Sequence, residues 1–238
     1  MIDRLKRVLQ SESISALALV IRFVVTFGLM ALCFFGSAGT LYWPEAWACI
    51  VLQLTISLTM TFWLQQHDPE LLKSRTSYFK PGLHGSDKLF AGLFMVGFIP
   101  YLILPGLDAM RFGWSDVPFP VQLAGFAGYV WSMWLIFRVM QVNSFASPVV
   151  EVQKKRHHSV IDTGPYARVR HPMYSGFIGS LLFLPLALGS WWGLLPGLLI
   201  ALNFLIRISF EEQTLCAELE GYAEYCERVR FRLLPGVW

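Results

Sequence analysis

The chain predicts an all-α, polytopic transmembrane bundle of about six spans with both termini on the cytoplasmic side. Hydrophobic residues make up 55% of its 238 positions and charged residues only 15%, a balance outside the range of soluble domains. Long apolar runs recur along its length, and the basic residues fall almost wholly in alternate loops.

The first run, 14–36, follows the basic head Met1-Ile2-Asp3-Arg4-Leu5-Lys6-Arg7. It is too long for the apolar core of a signal peptide, and Cys33-Phe34-Phe35-Gly36 is a poor cleavage site, so it reads as a retained span. Runs at 43–64, 88–107 and 119–140 each approach the roughly 20 residues that cross about 30 Å of hydrocarbon. The stretch 173–208 is too long for one span and is broken by Leu188-Gly189-Ser190-Trp191-Trp192-Gly193, which predicts a hairpin of two short helices. Between the second and third spans, 65–87 opens with Asp68-Pro69 and predicts a short interfacial helix. After the last span helix formers continue, pause near Gly221 and resume through Tyr222 to Arg228 before Pro235-Gly236 ends the run. The regions are then 1–140, four spans with the interfacial segment, and 141–238, the chemically richer part, in one integrated domain.

Topology follows from Lys and Arg. With the N-terminus inside, three lie in the head, four in 65–88, five in 141–172 and four in 207–238, against a single Arg111 in the opposite loops. Arg138 can snorkel to the interface, whereas Arg22 is deeper and is expected to face the bundle or a polar partner. The net charge of +3 is accounted for by these loops and gives no reason to invoke nucleic acid. Four cysteines without finger-like spacing, and histidines without a carboxylate at ligand spacing, indicate neither a disulfide framework nor a metal. P-loop, dinucleotide, G-x-S-x-G and H-E-x-x-H patterns are absent from the sequence.

Chemistry collects in a polar island at the entry to the hairpin, from His158 through Ser159, Val160, Ile161, Thr163, Gly164, Pro165, Tyr166, Arg170, His171, Pro172 and Met173 to Tyr174. Gly164-Pro165 is turn chemistry, and Pro172 fits the first turn of a helix with His171 at its N-cap, where free N–H groups would suit a carboxylate-bearing ligand. By spacing alone, a ligand site and a basic loop against anionic headgroups are equally good readings. Arg207 and Glu211, four apart on one helical face with Glu212 beside them, tilt the balance, because charges near hydrocarbon are costly.

These motifs, with Tyr222, Tyr225 and Arg232-Leu233-Leu234-Pro235-Gly236, resemble the C-terminal half of the isoprenylcysteine carboxyl methyltransferases, a group whose wider circle includes membrane phospholipid methyltransferases. The resemblance covers about 150–238, and 65–88 loosely through Asp68-Pro69-Glu70-Leu71-Leu72. It implies S-adenosylmethionine bound on the cytoplasmic side, at the bacterial inner membrane or endoplasmic reticulum, and a lipophilic methyl acceptor entering from the bilayer. Cofactor contacts carried over are Glu151, His158, Ser159, Val160, Ile161, Gly164, Tyr166, Arg170, His171, Pro172, Met173, Tyr174, Glu211 and Glu212. Arg207 would bind the substrate, with Arg207 and Glu211 the catalytic pair. Glu151 departs from the glutamine that family members often carry there. No metal is implied.

The resulting expectation is carboxyl O-methylation of a substrate such as isoprenylcysteine, where a dry site favours the meeting of sulfonium and carboxylate and needs no strong base. Alternatives are N- or S-methylation of a phospholipid or small molecule, an NADPH-dependent membrane reductase of the sterol reductase kind, and a non-enzymatic lipid-binding protein.

Overall fold

The computed structural model describes residues 16–76, 85–147, 152–153 and 156–238. Their regular structure is helical: α1 (Ala16–Ala38), α2 (Pro44–His67), α3 (Pro69–Thr76), α4 (Gly85–Pro105), α5 (Phe119–Val142), α6 (Pro172–Ala187), α7 (Leu194–Glu218) and α8 (Tyr222–Arg228). Among the described residues, five stretches are long and apolar enough to cross a membrane: Leu17–Ala38, Pro44–His67, Phe90–Phe112, Phe119–Val142 and Leu194–Glu218. The protein is an integral membrane protein of the polytopic helical class.

The hairpin is present but unequal. Its first arm, α6, has 16 residues, about 24 Å of helix and less than a full hydrocarbon thickness, whereas α7 runs unbroken for 25 residues. The expected pair of short helices is corrected in that respect. No helix breaker interrupts Asn203 to Glu218, so the span continues directly into the segment bearing Arg207, Glu211 and Glu212.

Because α6 is short, it is held by protein on several sides. Glycines let it approach α5 closely: a Cβ at Gly176 would lie 2.6 Å from Ile136 Cγ1 and 2.9 Å from the Ser132 carbonyl, and one at Gly125 would lie 2.5 Å from the Ala187 nitrogen. Its other sides meet Tyr101, Ile200 and Phe204 through Leu181, and Phe34, Trp43 and Cys49 through Ala187. By contrast only 6% of the α1 span is buried, against 44% for α7, so α1 turns Val20, Val24 and Leu32 outward, as a lipid-facing helix should. Arg22 finds the polar partner expected of it, donating to the Thr76 carbonyl at the end of α3 (2.7 Å).

At one end of the bundle the α4–α5 connection is tied to the hairpin turn. The α-helix gives way after Pro105 to a π-helical segment, Gly106–Phe112. This places fully buried Asp108 where it accepts from Ser115 Oγ (2.7 Å), Ser190 Oγ (2.5 Å) and the Trp192 N–H (3.2 Å). At the other end lie α3, the loop after α5, α8 and the C-terminal tail, and there the polar island sits. Asp68 caps α3 through Leu71 N (3.0 Å), as its Asp-Pro start predicts for this part of 65–87; residues 77–84 lie outside the described residues.

Candidate active site

The loop leaving α5 is pinned first by Asn143, whose amide donates to the Tyr166 hydroxyl (2.6 Å). Gly164 makes the turn with φ +59°, and Gly164–Ala167 form one 3-10 turn, as the Gly-Pro pair predicts. The Tyr166 carbonyl accepts from Tyr225 Oη (2.8 Å), which joins the loop to α8. Burial pushes the Tyr166 phenol above its usual range, opposed by the Asn143 hydrogen bond and reinforced by the charge of Glu211. The phenol stays neutral.

His158 stacks on Phe145 at 4.3 Å between centroids, and its Nδ1 accepts from the Gln153 N–H (3.3 Å). Burial, and then the charge of Arg156, lower its pKa below the ordinary histidine value. Ser159 is exposed, while Val160 packs against Leu219, Tyr222 and Tyr225. Glu151 lies outside the described residues.

At the mouth of α6, His171 takes the N-cap position and Pro172 the first turn, as expected. The N–H groups flanking that mouth are engaged within the protein, however. Arg170 N donates to the Phe231 carbonyl (2.9 Å) and His171 N to that of Arg232 (2.8 Å). The helix that resumes at Tyr222 ends at Arg228, and the tail beyond it turns back to offer those carbonyls. Met173 Sδ accepts from Arg75 (3.4 Å), which also donates to the Ala146 carbonyl (2.7 Å), so α3 braces this corner.

The two adjacent glutamates have different surroundings. Glu212, 8% exposed, accepts from Arg170 Nε at 2.6 Å and from Arg232 Nε at 2.8 Å, with His171 Nε2 at 3.1 Å. For Arg170, burial works against the charged form but the Glu212 hydrogen bond and charge outweigh it, so its pKa rises. Glu211 instead accepts from Tyr174 Oη (2.5 Å), and that hydroxyl accepts in turn from Arg207 Nε (3.1 Å). Arg207, also 8% exposed, lies over the Phe90 ring of α4 with its guanidinium carbon 4.2 Å from the centroid. Cation, phenol and carboxylate thus form one hydrogen-bonded chain across α6 and α7.

Residues 121–221 match the phospholipid methyltransferase family. The matched stretch runs from α5 through the polar island to the end of α7, so it contains Arg207, Tyr174 and both glutamates. The match supports a membrane methyltransferase. No curated protein sequence matches the chain.

Three site residues were not singled out as such from sequence. Asn143, Phe90 and Arg232 lie 23, 117 and 20 residues from the partners they hold, and no local pattern links them. Tyr222 is a fourth: it is 4% exposed, and its hydroxyl has no hydrogen-bond partner among the described residues.

Proposed function

We propose that the protein transfers a methyl group from S-adenosylmethionine to an anionic group of a lipophilic acceptor, a carboxylate such as that of isoprenylcysteine, on the cytoplasmic side of the membrane. The observation that carries the reading is the partly buried chain Arg207–Tyr174–Glu211. A sulfonium donor and a carboxylate acceptor require fixed charge of both signs close together, anion toward the donor and cation toward the acceptor. Glu211 and Arg207 supply that pair, and the neutral Tyr174 phenol fixes their separation.

S-Adenosylmethionine, when bound, supplies a methyl group on a positively charged sulfur. The residues around Glu211 fit it: a carboxylate for its ammonium, the Tyr166 phenol, the loop surface of His158 to Ile161, and the Tyr222 hydroxyl, which has no partner among the described residues. Arg207 would orient the acceptor, and the aromatic row Phe90, Phe94 and Phe204 beside it offers an apolar wall. Exclusion of water by that wall strengthens both charge contacts. Glu212 acts differently. Held by three basic side chains, it fixes Arg170, His171 and the tail and so shapes the mouth of α6.

A phospholipid acceptor is the second reading, favoured by the family match. Its phosphate would then meet Arg207, and an amine nucleophile would need Glu211 or His171 as a base.

Thermal unfolding in detergent with S-adenosylmethionine, S-adenosylhomocysteine or NADPH separates methyltransferase from reductase. At a hundredfold excess over Kd a bound cofactor adds about 2.7 kcal/mol, several degrees for a chain of this size. Both adenosyl compounds should stabilise; stabilisation by NADPH alone would overturn the proposal.

A further inference from the structure

We propose that the Tyr222 hydroxyl contacts the cofactor directly, donating a hydrogen bond to the carboxylate at its amino-acid end. The inference rests on the S-adenosylmethionine reading above and assigns a residue to it.

Tyr222 opens α8 immediately after Gly221, whose φ of +81° allows the chain to turn sharply out of α7. Its ring is buried against Leu219, Tyr225 and Val160, so the residue is fixed by packing. Its hydroxyl, though, has less than 1 Å² of accessible surface and no hydrogen-bond partner among the described residues. Neighbouring phenols are engaged: Tyr166 with Asn143, Tyr174 with Glu211 and Arg207, and Tyr225 with the Tyr166 carbonyl. A buried hydroxyl left unpaired is disfavoured in a folded protein, and a phenylalanine would fill the same space without that cost.

The surroundings identify the missing partner. Tyr222 packs on Val160 of the polar island and beside Tyr225, which holds the Tyr166 carbonyl, and burial raises its pKa, so it remains a neutral donor. Glu212 is already held by Arg170, His171 and Arg232, and Glu211 by Tyr174. An amino-acid group arriving here would turn its ammonium toward Glu211. Its carboxylate would then need a donor, and the Tyr222 hydroxyl is one that no described residue has taken.

The test is Tyr222→Phe, which keeps the ring. Calorimetric titrations of the full chain would use S-adenosylhomocysteine and 5′-methylthioadenosine, which retains adenine, ribose and sulfur but lacks the amino-acid end. A hydrogen bond to a charged group predicts an affinity for S-adenosylhomocysteine at least about tenfold weaker in the variant. Affinity for methylthioadenosine should stay within about twofold on the same reasoning. The unfolding midpoint of the ligand-free variant should be equal to or above that of the wild type, since an unpaired group has been removed. Unchanged affinity for S-adenosylhomocysteine, equal losses for both compounds, or a lower ligand-free midpoint would each overturn the assignment. If the wild type binds neither compound, the cofactor reading falls and takes this inference with it. If the wild type binds and Tyr222→Phe binds equally well, only the assignment of Tyr222 falls.

Discussion

Glu211 and Glu212 are chemically identical neighbours, yet their substitution should have different consequences. Glu212 is hydrogen-bonded by Arg170 and Arg232 and paired with His171, and the side chains of Arg170 and His171 are only 9% and 5% exposed. Removing the carboxylate leaves those groups buried against one another without an anion, a defect of about 3–5 kcal/mol. For a chain of 150–250 residues each kcal/mol moves Tm by about 2–4 °C, so Glu212→Ala should unfold roughly 6–20 °C below wild type. Glu211 makes a single described hydrogen bond, to a phenol, so Glu211→Ala should cost only about 1–3 kcal/mol and shift Tm by roughly 2–12 °C. Its main effect should be on cofactor affinity. Differential scanning fluorimetry in one detergent, with titration of S-adenosylhomocysteine into each variant, reads both quantities. A Glu212→Ala midpoint within about 2 °C of wild type would refute the assignment of that residue as the organiser of the α6 mouth.

Three further outcomes are expected. Gly176→Leu places a side chain where even a Cβ meets Ile136 and the Ser132 carbonyl, so the variant should lose its monodisperse peak in size-exclusion chromatography, whereas Gly28→Leu, with open space around it, should not. Asp108→Ala should lower Tm by at least about 6 °C, because Ser115, Ser190 and the Trp192 N–H lose their common acceptor, while methyl transfer at the opposite end of the bundle persists in the surviving folded fraction. His158 has a folded pKa below its unfolded value, so its contribution to stability is complete above about pH 6.5 and is lost as pH falls through the folded pKa. The midpoint of the wild type should therefore drop more between pH 7.5 and pH 5.5 than that of His158→Phe; equal drops would exclude His158 as the titrating group.

Much of the architecture was legible because it depends on local pattern. Apolar length marked the long spans, Gly189-Ser190-Trp191-Trp192 marked the turn between α6 and α7, Asp68-Pro69 marked the start of α3, and Gly221 marked the break before α8. Each signal lies within the element it defines. The unequal hairpin arms were not legible, since apolar content does not say where a helix leaves the hydrocarbon. The relation of the two glutamates was hidden for a different reason. Neighbours on a helix point about 100° apart, so Glu212 turns toward Arg170, 42 residues upstream, while Glu211 turns toward Tyr174, 37 upstream. The return of the tail to cover Arg170 and His171, and the buried acid Asp108 behind the hairpin turn, likewise depend on partners distant in sequence.

The central claim is methyl transfer to a lipophilic carboxylate held by Arg207. It is tested most directly by incubating the detergent-purified protein with S-adenosylmethionine labelled in the methyl group and a farnesylcysteine analogue, then measuring volatile label released by base. Base-labile product from the wild type, reduced at least about a hundredfold in Arg207→Ala, is the predicted result. Label that remains base-stable, or equal turnover by Arg207→Ala, would contradict it.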